Sequence, residues 1–111
     1  SGAEAARAIL AKDKLPSAIL AANDAMAIGA LQIIKGQGLR VPQDISLVGF
    51  DDIKFSAYCD PPLTTIHQPR TRIGELSMQM MLDILNGGEP TPGRCELPHK
   101  LVIRDSVAKC N

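Results

Sequence analysis

The stretch that most constrains this chain is residues 44–52, which read Asp-Ile-Ser-Leu-Val-Gly-Phe-Asp-Asp. Apolar residues this dense, with β-branched members among them, are typical of a strand buried on both faces of a parallel sheet rather than of an amphipathic helix. Two acids follow the apolar run directly. We therefore expect Asp51 and Asp52 at the carboxyl edge of the sheet, where open α/β sheets bind ligands.

Charge and cysteine content limit the possible partners. The 111 residues include twelve acidic and twelve basic side chains, so the formal net charge is zero. The sequence has no basic stripe that could bind a phosphate backbone, and we expect that this chain alone does not bind nucleic acid. The three cysteines have no metal-ligand spacing and are odd in number, which argues against a disulfide framework and a zinc site. We predict no metal, no cofactor and a reducing cytosol.

Targeting signals are absent from these residues. No apolar run approaches the length of a membrane span, and the first residues are not a secretory signal, so we expect a soluble protein without membrane contact. Residue 1 falls just before a predicted helix, with no strand ahead of it. The chain is therefore expected to be a fragment of something longer.

Apolar periodicity and turn residues predict the order of elements. Helix, strand, helix and strand alternate, which indicates an α/β fold with a Rossmann-like parallel sheet, flanking helices and right-handed crossovers. The methionines Met78, Met80 and Met81 are expected in a helix core. Helices are predicted at 2–11, 24–36 and 69–85, buried strands at 17–22, 44–52 and 63–67, a helical turn at 53–60 and an extended edge segment at 94–107.

Polar residues follow two of the predicted strands at comparable points. Asn23 and Asp24 come after the first strand, and Asp51 and Asp52 after the second. If these strands are parallel neighbours, their ends lie roughly 5 Å apart, and Asn23 and Asp51 can reach one ligand. A carboxylate accepts two hydrogen bonds from a vicinal diol, which suits a sugar or nucleoside. Helix capping by Asn23 or Asp24 and turn formation by Asp51 or Asp52 are the alternative, because caps and turns favour these residue types in any case.

Catalytic constellations are missing. No serine or cysteine lies in a nucleophile elbow, no glycine-rich phosphate loop occurs, and the aspartate pair lacks metal-ligand partners. His67 lies beside Gln68 between a strand and a helix, where a lone histidine is usually structural or solvated. An enzyme that uses Asp51 and Asp52 is therefore a poor hypothesis, and we assign no catalytic residue.

Several motifs together carry a family resemblance. They are Ala22-Asn-Asp-Ala-Met-Ala-Ile-Gly29, Gly38-Leu-Arg-Val-Pro42, the stretch 44–52, Pro61-Pro-Leu-Thr-Thr-Ile-His-Gln-Pro69, Ile73-Gly-Glu and Leu101-Val-Ile-Arg-Asp-Ser106. In this order and spacing they resemble the effector-binding core of LacI/GalR-family transcriptional repressors. The resemblance covers nearly the whole chain.

The resemblance implies two lobes of the periplasmic-binding-protein type with an effector between them. Residues 1–66 would be most of the C-terminal lobe, 67–98 a hinge crossing with part of the N-terminal lobe, and 99–111 the return crossing and tail. The family's effector contacts correspond here to Asn23, Asp51 and Gln68. The DNA-binding headpiece, most of the N-terminal lobe and the first strand of the C-terminal lobe are expected to lie outside this sequence.

The resemblance also implies a two-fold interface between copies of the chain. The second helix carries apolar residues over more than one stripe, and the surplus is expected to pack on its own copy. The implied interface residues are Met26, Ile28, Phe55, Tyr58 and Cys59. Two functions remain open: a cytoplasmic, sugar- or nucleoside-responsive repressor that reaches DNA only through a headpiece outside this chain, or a periplasmic sugar-binding transport protein.

Overall fold

A computed structural model describes residues 1–89 and 93–110. The chain divides into two compact units, Ser1–His67 with Leu101–Asn111, and Gln68–Lys100. That these units correspond to two lobes of a larger protein stays a prediction. Within the described ranges, no helix is long and apolar enough to cross a membrane.

The helices of the first unit begin at polar caps. Helix α1 spans Gly2–Leu10, where Ser1 and Glu4 form a reciprocal capping box. Helix α2 spans Asp24–Gly36, with the side chain of Asn23 as its N-cap, as such residues typically are. A short 3₁₀ turn follows at Lys54–Ala57. The predicted positions of all three elements are confirmed, and the bounds of α2 agree at both ends.

Short parallel strands bring the chain's polar segments to one edge. Strand β1, Ala18–Leu20, pairs in parallel with β2, Ser46–Val48, and Ile19 lies opposite Leu47. Strand β3, Thr65–His67, pairs with β4, Lys100–Val102. Parallel bridges join Val48 to Thr64 and Asp51 to His67, so the β2 segment also lies beside the β3 segment. The predicted α/β fold with a parallel sheet is confirmed, although each strand is shorter than its predicted run.

Helix α1 covers part of the apolar surplus of α2. The two helices approach so closely that a Cβ atom on Gly2 would lie 2.0 Å from the carbonyl oxygen of Met26. Gly29 also faces the backbone of α1. One apolar face of α2 is therefore buried within the chain. The core consists of Ala6, Leu10, Ala21, Ala27, Ala30, Leu31, Ile34, Val41, Ile45, Leu47 and Leu63.

The expectation that β1 is buried on both faces is wrong. Ile19 packs against the core, but Ala18 is exposed and Leu20 keeps 75% of its surface. Successive side chains of a strand point to opposite faces. The face that carries Ala18 and Leu20 is left uncovered by the described residues, which explains the exposure.

The methionine cluster is also more exposed than the sequence predicts. Helix α3 spans Arg70–Leu85 in the second unit, and none of its described residues is buried. Met78 and Met81 are exposed and Met80 is half-buried. An apolar helix face is buried only when a second layer packs on it. The described residues of this unit supply no such layer, so the predicted helix core is wrong for Met78 and Met81.

Candidate functional site

The ends of β1 and β2 meet at one edge of the first unit. The Asp24 amide donates to the Phe50 carbonyl at 2.9 Å, and the Asp51 amide donates to the Ile66 carbonyl at 3.0 Å. Asn23 directly precedes Asp24, the donor of the first of these hydrogen bonds, and Asp51 is itself the donor of the second. The structure therefore brings the predicted contacts Asn23 and Asp51 to the same edge.

Asn23 caps α2 and keeps a donor available. Its side-chain Oδ1 accepts a hydrogen bond from the Met26 amide at 2.8 Å. The side chain is half-buried, and no described residue accepts a hydrogen bond from its Nδ2 group. Capping therefore fixes the side chain without using both of its polar atoms. The capping role, which the sequence left open, is confirmed and is compatible with ligand binding.

Asp51 and Asp52 form a strained turn. Asp51 has a φ of 111° and Asp52 a φ of 54°, both in the region that favours glycine. Each such residue costs about 1–3 kcal/mol and persists only where the surroundings hold it; such residues cluster at ligand-binding and active sites. This conformation is what marks the turn as a functional candidate.

Asp24 is a fully buried carboxylate that ties three segments together. Its Oδ2 accepts from the Ile53 amide at 2.9 Å and from the Ser56 hydroxyl, and its Oδ1 accepts from the Thr65 hydroxyl at 2.6 Å. Ser56 and Thr65 are fully buried as well. The Asp52 amide donates to the Thr65 hydroxyl oxygen at 3.3 Å. The sequence pattern indicates Asp24 as a helix cap and contains no signal for this buried role.

Asp52 lies between two cationic or potentially cationic side chains. Arg104 Nη2 donates to Asp52 Oδ1 at 2.8 Å, and His67 Nδ1 lies 2.9 Å from Asp52 Oδ2. Burial alone would raise the pKa of the Asp52 carboxyl, but the hydrogen bonds and charges of Arg104 and His67 outweigh it and hold that pKa below its usual value. Asp52 is therefore ionised and oriented at neutral pH.

Arg104 is held by its backbone as well as by its side chain. Its amide donates to the Thr64 hydroxyl oxygen at 2.9 Å, and its Nη1 donates to the Leu63 carbonyl at 2.9 Å. No sequence signal indicates this role, because Arg104 lies 52 residues from Asp52. In the sequence, Arg104 is recognisable only as part of the motif Leu101-Val-Ile-Arg-Asp-Ser106.

The third predicted contact, Gln68, is the first residue of the second unit. Its grouping with Asn23 and Asp51 stays a prediction. Among the residues that the structure describes, no three histidine, cysteine or acidic side chains converge as a metal site. The polar side chains that follow β1 and β2 at this edge are the amide of Asn23 and the carboxyl groups of Asp51 and Asp52.

The predicted interface residues differ in exposure. Phe55 keeps 70% of its surface and Tyr58 keeps 76%. Ile28 is half-buried on α2. Met26 and Cys59 are half-buried and pack against the core, and the Cys59 thiol donates to the Phe55 carbonyl at 3.2 Å. The most exposed apolar side chains of this group therefore belong to the 3₁₀ turn and the residue after it.

The periplasmic binding protein-like domain profile matches residues 1–107. The chain belongs to the periplasmic binding protein-like domain family. In this family's fold class, the edge that carries Asn23 and the Asp51–Asp52 turn is the carboxyl end of a parallel sheet, which is the ligand-binding edge of open α/β sheets.

Relatives within this periplasmic binding protein-like family are transcriptional repressors. The chain is 43% identical over 106 residues to the HTH-type transcriptional repressor PurR of Pasteurella multocida, covering 96% of this chain and 32% of that protein. It is 42% identical over 107 residues to the HTH-type transcriptional repressor CytR of Escherichia coli K12, covering 96% and 31%. The chain thus spans about a third of the length of these curated relatives.

A solved structure supports the same relationship. The Lac repressor dimer bound to operator and the anti-inducer ONPF is 38% identical, with a TM-score of 0.83, and the match covers 97% of this chain and 37% of that one. The resemblance to the effector-binding core of LacI/GalR-family repressors is therefore confirmed. These relatives carry the names of repressors rather than of enzymes or transport proteins.

Proposed function

We propose that this chain is the effector-sensing and dimerising part of a sugar- or nucleoside-responsive transcriptional repressor. The observation that carries the proposal is the strained Asp51–Asp52 turn, which lies beside Asn23 at the ligand-binding edge of the sheet. The repressors to which the chain is similar support the regulatory role. A periplasmic transport protein is the alternative, and the named relatives give it no support.

The chemistry of the edge favours a polyhydroxylated ligand. The side-chain Nδ2 of Asn23 donates a hydrogen bond to no described residue and can donate one to a ligand. A carboxylate such as that of Asp51 accepts hydrogen bonds from adjacent hydroxyl groups, as on a sugar or ribose ring. Gln68 is the proposed third contact. An uncharged diol is therefore a better fit than a phosphate, which the aspartates would repel.

Replacement of the Asp51 carboxylate tests this role. We expect Asp51→Asn to weaken ligand binding about ten- to hundredfold, because a hydrogen bond to a charged group contributes about 1.5–3 kcal/mol. Stability should change by less than about 0.5 kcal/mol, since Asp51 follows the last buried position of its strand. The measurement is calorimetric titration of the protein that carries this chain with D-ribose, lactose, adenosine and cytidine.

The matched control is Asp13→Asn, which removes an exposed carboxylate from the turn after α1. This variant should bind and unfold like the unmodified protein. Equal affinity in the Asp51→Asn variant would remove Asp51 from the site. Failure of the unmodified protein to bind any of the four compounds would count against a sugar or nucleoside effector.

We assign DNA binding to a headpiece outside these residues. The net charge of the chain is zero, so it lacks the electrostatic attraction that dominates affinity for a phosphate backbone. A repressor acts in the cytoplasm, and we propose that location. The absence of a recognisable nucleophile or phosphate loop in the sequence agrees with a binding function rather than catalysis.

A homodimer is the second part of the proposal. The segment 53–60 runs beside α2, since Ile53 donates to Asp24 at one end of the helix and Lys35 binds Asp60 near the other. Phe55 and Tyr58, which lie on this segment, are exposed. An exposed apolar patch of this kind is typical of an interface between proteins. In a two-fold dimer the same patch meets its own copy.

A charge on the outward face of α2 tests the dimer. Ile28→Arg should split the dimer without unfolding it, because two-fold symmetry would bury the unpaired charge once per subunit. Sedimentation at micromolar concentration, together with circular dichroism, measures both effects. Ala8→Arg adds the same charge at an exposed position of α1 and should stay dimeric. An Ile28→Arg protein that remains dimeric would show that Ile28 lies outside the interface.

A further inference from the structure

The Asp51–Asp52 turn depends on contacts that come from distant parts of the first unit. Asp51 and Asp52 both have positive φ, and a turn with two such non-glycine residues needs outside support. The backbone at Asp52 and directly after it is held by Thr65, which accepts from the Asp52 amide, and by Asp24, which accepts from the Ile53 amide. These bonds hold the amides of Asp52 and Ile53, but the direction of the Asp52 side chain depends on other groups.

Arg104 supplies that direction. Its Nη2 donates to Asp52 Oδ1 at 2.8 Å while its Nη1 donates to the Leu63 carbonyl at 2.9 Å, and both Arg104 and Asp52 are largely buried. A guanidinium whose planar fork bonds two acceptors has little freedom to move. The backbone amide of Arg104 is bonded to Thr64, so the whole residue is fixed. Asp52 is therefore attached to a rigid cation rather than to a mobile surface side chain.

The same carboxylate joins the two places where the chain passes between its units. The chain leaves the first unit after His67 and returns to it at Leu101. His67 lies against Asp52 Oδ2, and Arg104, just after the return, binds Asp52 Oδ1. One aspartate thus links the turn to both passages of the chain through contacts inside the first unit.

We propose that Arg104 is a positioning residue for effector binding. Acting through Asp52, it holds the Asp51–Asp52 turn in its positive-φ conformation, so that Asp51 is pre-oriented for the ligand. The inference rests on the proposed function for the ligand itself, but the claim about the turn is independent of any ligand. Pre-orientation of a binding group raises affinity because less order is lost on binding.

The first experiment examines the turn without ligand. Positive φ gives strong intraresidue NOEs between the amide and α protons, which can be read for Asp51 and Asp52 in the labelled protein. Arg104→Gln should weaken these NOEs and speed amide exchange at Asp52 and Ile53, whereas amides of the α2 core should exchange as before. Arg104→Lys keeps the charge but loses the planar fork, so its NOE intensities and exchange rates should lie between those of the unmodified protein and those of Arg104→Gln. Arg40→Gln breaks an exposed pair with Asp44 and should change neither.

The second experiment measures affinity for whichever of D-ribose, lactose, adenosine and cytidine the unmodified protein binds. Arg104→Gln should weaken that affinity about tenfold, and Arg104→Lys should recover part of it. An unchanged turn in Arg104→Gln would overturn the inference, as would an altered turn with full affinity. The unmodified protein could bind none of the four compounds while Arg104→Gln still alters the NOEs of the turn. That result would contradict the proposed ligand class and would support the role of Arg104 in holding the turn.

Discussion

Asp24→Ala should be among the most destabilising substitutions in this chain, at about 3–5 kcal/mol. The carboxylate is fully buried and accepts hydrogen bonds from Ile53, Ser56 and Thr65. Alanine leaves all three donors without their acceptor inside the protein, and a buried donor without a partner costs about 1–3 kcal/mol. Most single domains are stable by only about 5–15 kcal/mol. Urea denaturation of the purified protein measures the change.

Asp24→Asn separates the loss of an acceptor from the loss of volume. The asparagine oxygen can still accept from the Ile53 amide, which cannot turn away. Its amide group can donate to the Thr65 hydroxyl oxygen, because a hydroxyl accepts as well as donates. We therefore expect a cost of about 1–2 kcal/mol, between that of alanine and that of the exposed control Asp13→Ala. A cost below about 1 kcal/mol for Asp24→Ala would show that the buried network is dispensable.

Local sequence signals predicted the helices of the first unit well. Helix α2 begins after its N-cap Asn23 and ends before Gly38, whose φ of 78° is the left-handed conformation that glycine adopts past a helix end, because caps and glycines act on their immediate neighbours. The same logic failed for α3, whose apolar stripe is exposed. Apolar periodicity identifies the face of a helix that is suited to burial, but whether another layer covers that face depends on the rest of the fold.

The sequence predicted the residues at the strand ends of the candidate site but not the residues that support them, because only the former leave a local signal. Asp51 was predicted because an apolar run shows where a strand ends. The supports of the turn were missed because they are isolated polar residues joined across long separations: Asp24 is 29 residues from Ile53, and Arg104 is 52 residues from Asp52. Each of them looks alone like a cap, a turn residue or a surface charge. Only the pairing of strands brings them together.

Gly49→Ala should cost about 1–3 kcal/mol, because the position has no room for a methyl group. An added Cβ would lie 2.1 Å from Asp24 Oδ1 and 3.0 Å from Leu63 Cδ2. Asp24 cannot move aside without losing its three hydrogen bonds, so the strain falls on the buried network. Gly36→Ala is the matched control: nothing lies within 4 Å of its added Cβ, and we expect it to be neutral or slightly stabilising. Urea denaturation compares the two.

The stability costs of Gly49→Ala and Asp24→Ala should be strongly non-additive if the clash with Asp24 is the cause of the Gly49→Ala strain. In an Asp24→Ala background the obstructing carboxylate is gone, and Gly49→Ala should then cost at least about 1 kcal/mol less than in the unmodified protein. In an Asp24→Asn background the side chain keeps its size, so the full cost should remain. Equal costs in all three backgrounds would place the strain elsewhere, at Leu63 or in the backbone of the strand. The cycle therefore identifies the atom that requires glycine at position 49, next to the turn proposed to hold the effector.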